Sequence, residues 1–264
     1  MCPMVRNCWM RSSEELAELK SFFANADNRV SLYFAENPAM REEHIEGRLI
    51  ATLEQEPSAI YQERINEDRL RRGLPTLALS FKHVTHTERL NGADIGLVAS
   101  LNIPGEQVLT KAILAQSKKL YRGHDGFSGT SSYEELFGST SSSPQWERLL
   151  NVTPSSVYLL FGPDRLRIGR KTRPFGTQVL TAQTIKGLEE SGVRRVTASL
   201  AFQRGLSFPS WVVEEFICCN AGDSNNRVVD IARGQNSNFS VRNTIEISIR
   251  GRDFDPTLFQ AAAC

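Results

Sequence analysis

Two short apolar runs joined by a turn constrain this chain more than any other feature. Gly92-Ala93-Asp94-Ile95-Gly96-Leu97-Val98 and Ala112-Ile113-Leu114-Ala115-Gln116-Ser117-Lys118 each have the length and continuity of a buried strand, and Asn102, Pro104 and Gly105 between them supply turn chemistry. The pair therefore predicts a hairpin of adjacent strands. Side chains alternate along a strand, so Gln116 and Lys118 share one face, and an antiparallel neighbour can present Asp94 beside them. A carboxylate, an amide and an ammonium group placed together outline a site for a metal ion and an attacking water.

Upstream, Met40 to Leu53 has helical spacing. At about 100° per residue Ile45, Leu49, Ile50 and Leu53 form an apolar arc into which Glu42 and Glu46 point, with Glu43 nearer its border. Acids on a buried face are unusual, although acids in a first helical turn also suit the helix dipole.

Gly92-Ala93-Asp94 followed by Gln116-Ser117-Lys118 resembles the PD-(D/E)xK, or restriction-endonuclease-like, nuclease superfamily in a variant with Gln at the second acidic position. The resemblance extends over residues 40 to 190. It implies a restriction-endonuclease-like α/β/α core, a mixed central sheet with helices on its faces. It also implies that Asp94 binds a divalent metal, that Gln116 supplies another oxygen, and that Lys118 orients or activates the attacking water. Phosphodiester hydrolysis needs a nucleophilic water and stabilisation of a crowded anionic state, which hard cations such as Mg²⁺ or Mn²⁺ supply from oxygen ligands. A Gln carbonyl carries no charge, so a further carboxylate is wanted. The resemblance nominates one on the helix before the sheet, Glu42 or Glu46. Glu43 is one residue of helix rotation away, and Glu88 is another candidate.

Length and composition fit one elaborated domain: 264 residues, 40% apolar and 23% charged. We divide it into an N-terminal accessory helical segment (1–37), a nuclease-like core (38–190) and a C-terminal α+β extension of the same domain (191–264). A formal net charge of +1 excludes a strongly basic nucleic-acid binder by bulk charge, yet local clusters can still track phosphates. Arg69, Arg71 and Arg72 read as a solvated face. Arg165, Arg167, Arg170, Lys171 and Arg173 form a denser cluster after an apolar strand, with Arg167, Arg170 and Lys171 as candidate nucleic-acid contacts.

The remaining elements are read from local pattern. Ser12-Ser13-Glu14-Glu15 caps a helix through Phe23, Tyr61 to Leu70 is a charged helix, and Thr76 to Phe81 a strand. The Gly- and Ser-rich stretch from Arg122 to Pro144 reads as a mobile loop or lid. Trp146, Leu149 and Leu150 suggest a helix whose Gln145 is polar surface. Ser156 to Phe161 and Thr177 to Thr181 are strands, and Ile185 to Glu190 is helical. In the C-terminal third, Ala198 to Phe202, Ile217 to Cys219 and Thr244 to Ile249 are expected as strands and Trp211 to Phe216 as a helix, with turn chemistry at Gly222 to Asn226.

His83 and His86 lack partner ligands at metal-site spacing and read as surface or loop residues. The five cysteines, Cys2, Cys8, Cys218, Cys219 and Cys264, show no zinc-site spacing and read as reduced thiols. With neither a secretory pattern nor a run of about 18 apolar residues, the expectation is a cytoplasmic protein without a membrane partner. Absence of a P-loop or a dinucleotide-binding glycine motif argues against a nucleotide-driven motor. By resemblance, the function expected is a metal-dependent nuclease acting on nucleic acid, DNA first, of the kind found in bacterial restriction or anti-phage defence, as a homo-oligomer or with a partner protein. The alternatives are a decayed nuclease fold that binds nucleic acid or protein, with Gln116 a sign of lost metal affinity, and an oligomerisation scaffold.

Overall fold

The computed structural model describes residue 10 and residues 12–55, 58–86, 93–103, 107–124, 126–134, 136–137, 144–235, 239 and 241–252. Three helices come first: α1 (Ser13–Glu36), α2 (Glu42–Gln55) and α3 (Ser58–Arg71). Ser12 caps α1 by accepting from the Glu15 N–H at 3.1 Å. The helix runs well past Phe23 because Ala26, Val30 and Phe34 continue its buried stripe, and it ends at Asn37, before Pro38. Phe22 stacks on Phe81 at 4.6 Å between ring centroids, so the segment read as accessory is part of the core.

The strands and later helices follow in the order β1 (Thr76–Thr85), β2 (Ala93–Ile103), β3 (Gln107–Lys119), β4 (Ser132–Tyr133), α4 (Gln145–Leu150), β5 (Ser156–Phe161), β6 (Arg165–Ile168), β7 (Lys171–Pro174) and β8 (Gln178–Thr181). After these come α5 (Ala182–Glu190), β9 (Val196–Thr197), α6 (Ala198–Arg204), β10 (Leu206–Ser207), α7 (Phe208–Ser210), a π-helical segment (Trp211–Ile217), α8 (Asn226–Ala232) and β11 (Val241–Arg252). Among the described residues they form a mixed α/β structure with a seven-stranded central sheet, in the order β1-β11-β2-β3-β5-β8-β10. β11 runs parallel to β2, and β3 parallel to β5, while the other neighbours are antiparallel.

The expected hairpin is present as β2 and β3. Their register sets Ile95 opposite Ala115, and every residue of β5 is buried, as continuous apolar runs require of strands covered on both faces. The C-terminal strand holds a position that local pattern did not indicate. Read as part of an extension, β11 lies inside the sheet, between β1 and β2, so the core is not contained within residues 38–190.

Five further expectations are corrected. Ala198 to Phe202 is helical, not extended, because Thr197 caps it by accepting from the Leu200 N–H at 3.2 Å. Ile217 to Cys219 is the end of the π-helical segment and the turn after it rather than a strand. In the Gly- and Ser-rich stretch, the described part is anchored: Tyr133 and Leu136 are buried, and backbone N–H groups of Gly129 and Ala198 donate to Arg167 and Ser131 carbonyls at 2.8 Å. Arg69, read as solvated, is fully buried and meets Glu15 at 3.1 Å, since α1 packs over α3 and needs a partner for its own buried acid. Cys219 is a free thiol as expected, but Cys218 is disulfide-bonded, which spacing alone does not reveal. His83 and His86 contact Asn243 and Thr244 respectively and share no site. No described helix is long and apolar enough to cross a membrane.

One close approach fixes the strand that carries Asp94. A Cβ at Gly96 would overlap the carbonyl oxygen of Ala232 at the end of α8, and the same oxygen accepts from Thr244 Oγ1 at 2.7 Å. Only glycine lets the helix end lie this near β2. Gly96→Ala is expected to destabilise the protein by about 1–3 kcal/mol, the usual cost of overpacking a filled interior. The check is a lowered urea midpoint with an unchanged denaturant slope.

Candidate active site

Asp94 sits at the start of β2 and Gln116 near the end of β3. With Ile95 opposite Ala115, the register sets Asp94 against Gln116, and the Gln116 amide donates to Asp94 Oδ2. The Ser117 N–H donates to the same oxygen at 2.8 Å. Lys118 is buried on the Gln116 face, its Nζ 3.6 Å from Glu42 Oε2. The three residues singled out by the motif therefore lie together at one end of the sheet.

The glutamates of α2 divide the remaining space. Glu42 accepts from the Lys119 N–H at 3.1 Å while its other oxygen faces Lys118, and Lys119 Nζ donates to the Met40 carbonyl at 2.8 Å. The helix start is thus stapled to the end of β3. Glu46 is fully buried and accepts from Asn243 Nδ2 at 3.5 Å. Glu43 is half exposed, as its border position suggested. Glu88 lies outside the described residues.

Sequence reasoning missed the residue that joins these acids. Arg242, at the start of β11, falls beside Asp94 because Val241 pairs with Ala93 and Asn243 with Ile95. Its guanidinium lies 3.3 Å from Asp94 Oδ1, 3.4 Å from Glu46 Oε2 and 3.7 Å from Glu43 Oε1. Asn243, the next residue on β11, donates to Glu46, and Arg242 spans the two acids. The local signal was a lone cation opening an otherwise alternating strand, which says nothing about its neighbour.

Burial dominates the electrostatics. It pushes the Glu46 carboxyl up to about 8, with the Asp94 charge adding to the rise and Arg242 opposing it. It also lifts Asp94 to about 6 against the Ser117 N–H, Arg242 and Lys118, which favour the anion. Tyr158, in register with Gln116 on β5, is likewise raised by burial. An uncompensated anion in such a place is costly, so proton, guanidinium or metal ion must answer the charge.

Two buried oxygens test whether an oxygen-seeking cation fits. Glu46 Oε1 and Gln116 Oε1 have no hydrogen-bond partner, and both are acceptors of the type that Mg²⁺ and Mn²⁺ prefer. Together with Asp94 they make a donor set of two carboxylates and one amide carbonyl, which is chemically suited to either ion. Among the described residues no three Asp, Glu, His or Cys side chains converge as a metal-binding group. An open groove of about 820 Å³, whose lining includes Tyr33, Met40, Glu43, His44 and Arg48, adjoins the site through Glu43.

The dense basic cluster forms the β6–β7 hairpin, on which Arg165, Arg167, Arg170, Lys171 and Arg173 are all exposed. β5 is parallel to β3, with Lys119 paired to Phe161, so the hairpin leaves the sheet at the end that carries Lys118. The Gly129 N–H to Arg167 carbonyl bond, at 2.8 Å, ties it to the segment that follows β3. Comparison of the chain with models of protein families, with curated proteins and with solved structures finds no match.

The raised Glu46 carboxyl has a consequence for stability. Its native form holds a proton more tightly than the unfolded chain, so its contribution is complete below the ordinary value of 4.5 and is lost as pH rises towards about 8. Glu46→Gln stays neutral throughout. Urea unfolding across that window is expected to show wild type losing stability relative to the variant; parallel curves would mean that Glu46 does not titrate in this range.

Proposed function

We propose that this chain is a metal-dependent nuclease that hydrolyses phosphodiester bonds of nucleic acid, DNA first, on a restriction-endonuclease-like core. What most supports the reading is the meeting of Asp94, Gln116 and Lys118 at one sheet end with the acids of α2, beside two buried acceptor oxygens that lack donors. Asp94, Gln116 and Glu46 would hold Mg²⁺ or Mn²⁺. Bound there, the ion would polarise the phosphate and generate a nucleophile from water near neutral pH. Glu42, already engaged by Lys118 and the Lys119 N–H, is better placed to position the lysine than to bind metal.

The protein's own groups then divide the work. Lys118, fixed by Glu42, places a positive charge where the attacking water and the developing phosphate charge meet. The β6–β7 hairpin tracks the phosphate backbone through Arg167, Arg170 and Lys171. A place in bacterial restriction or anti-phage defence, alone or with a partner protein, belongs to the same reading.

A non-catalytic nucleic-acid-binding module is the second reading. Arg242 favours it, because a guanidinium already answers the charge that a metal would. Cleavage separates the two. With plasmid or single-stranded DNA and Mg²⁺ or Mn²⁺, the wild-type chain is expected to cut and EDTA to stop it; no cleavage with either metal would leave the binding module.

Asp94→Ala and Lys118→Ala are each expected to slow cleavage by about a hundredfold or more, as loss of a group that acts at the developing charge does. The far-UV circular dichroism of both is expected to match wild type. A folded variant that cuts at the wild-type rate would remove that residue from the site.

Replacing Arg167, Arg170 and Lys171 together by Ala tests the hairpin. DNA affinity is expected to fall about equally for all sequences, and the slope of log K against log salt to shrink by roughly 2–3, about 0.9 for each phosphate that is no longer neutralised. An unchanged slope would place the phosphate path elsewhere.

A further inference from the structure

We infer that Arg242 is an internal placeholder for the metal ion: its guanidinium occupies the acidic cluster while no metal is bound and must withdraw from Asp94 and Glu46 for a divalent cation to enter. The inference rests on the metal-dependent reading above. It is carried by which atoms Arg242 uses. One nitrogen lies 3.3 Å from Asp94 Oδ1 and the other 3.4 Å from Glu46 Oε2 and 3.7 Å from Glu43 Oε1. Asp94 and Glu46 are the two carboxyl groups of the donor set; Glu43 lies outside it. A guanidinium and a divalent cation sharing them would lie within a few ångströms of each other in a poorly solvated place, where like charges repel strongly. The two occupants therefore exclude each other.

The surroundings give the side chain somewhere to go. About a fifth of it is exposed, and Glu43, which faces the open groove beside α2, is half exposed. A swing towards Glu43 keeps one ion pair while releasing Asp94 and Glu46. Meanwhile Asp94 stays fixed by the Ser117 N–H and Gln116, and Glu46 by Asn243. The acids are thus preorganised and the cation is the part that exchanges. Such a placeholder keeps the acids paired in the metal-free protein and weakens metal binding by the free energy of the ion pairs given up.

Calorimetric titration of the purified chain with Mn²⁺ tests this without reference to cleavage. Arg242→Gln is expected to bind Mn²⁺ at least about tenfold more tightly than wild type, a modest share of what a neighbouring unit charge contributes. Its melting temperature is expected to rise further on adding Mn²⁺ than that of wild type. Arg242→Lys keeps the charge but not the two-armed fork, and is expected to fall between the two. It also serves as the readout if the Gln variant does not fold. Asp94→Ala abolishes binding if the heat comes from this site. If wild type binds Mn²⁺ in an Asp94-dependent way and the Arg242 variants bind it equally or more weakly, the placeholder is overturned and the metal site stands. If no variant binds Mn²⁺, the metal site is overturned and the placeholder with it.

Discussion

Carboxylates can be buried at the end of this sheet because one guanidinium reaches two of them at once. Asp94 comes from a strand and Glu46 from a helix, and neither would remain an anion there without a partner. Arg242 meets both. Its own position depends on β11 lying parallel to β2 in a register that sets Val241 beside Ala93. The central placement of β11, the approach of α2 and the charge state of the candidate site are therefore one problem in physical terms. Glu46 shows how incomplete the balance is, since burial still favours its protonated form despite the nearby arginine.

The stapling of α2 to β3 sets a second constraint. Glu42 accepts from the Lys119 backbone while Lys119 itself donates to the Met40 carbonyl. Two bonds, both donated by Lys119, hold the start of the helix, so Glu42, Glu46 and Lys118 keep their spacing as a unit. Gly96 provides comparable control from the other face, where the end of α8 is braced against β2. A site whose parts come from a helix and three strands needs such bracing, because small displacements of reacting groups are expensive.

What could be read from the sequence was local. The hairpin, the shared face of Gln116 and Lys118, and the inward glutamates of α2 all follow from periods of two or 3.6 residues within a short window. Asp94 against Gln116 needed only the assumption that neighbouring strands pair. Arg242 was beyond such reasoning, because nothing in residues 241–252 specifies that they pair with residues 93–102. Arg69 failed differently: charge alone suggested solvent, but Glu15 on a distant turn of α1 offers it a buried partner. The segment at Ala198 to Phe202 was too short for its apolar pattern to distinguish strand from helix, and the Thr197 cap decided it.

The place of β11 also orders events during synthesis. β1, β2 and β3 leave the ribosome well before residues 241–252, but β1 cannot join β2 directly, since the strand that separates them has yet to be made. Until then the nascent chain exposes two unpaired strand edges, and its acidic cluster lacks its arginine. Contacts between parts so distant along the chain form late and slowly. The interval is one in which bare edges invite wrong pairing, so this architecture ties charge neutralisation at the site to completion of the sheet.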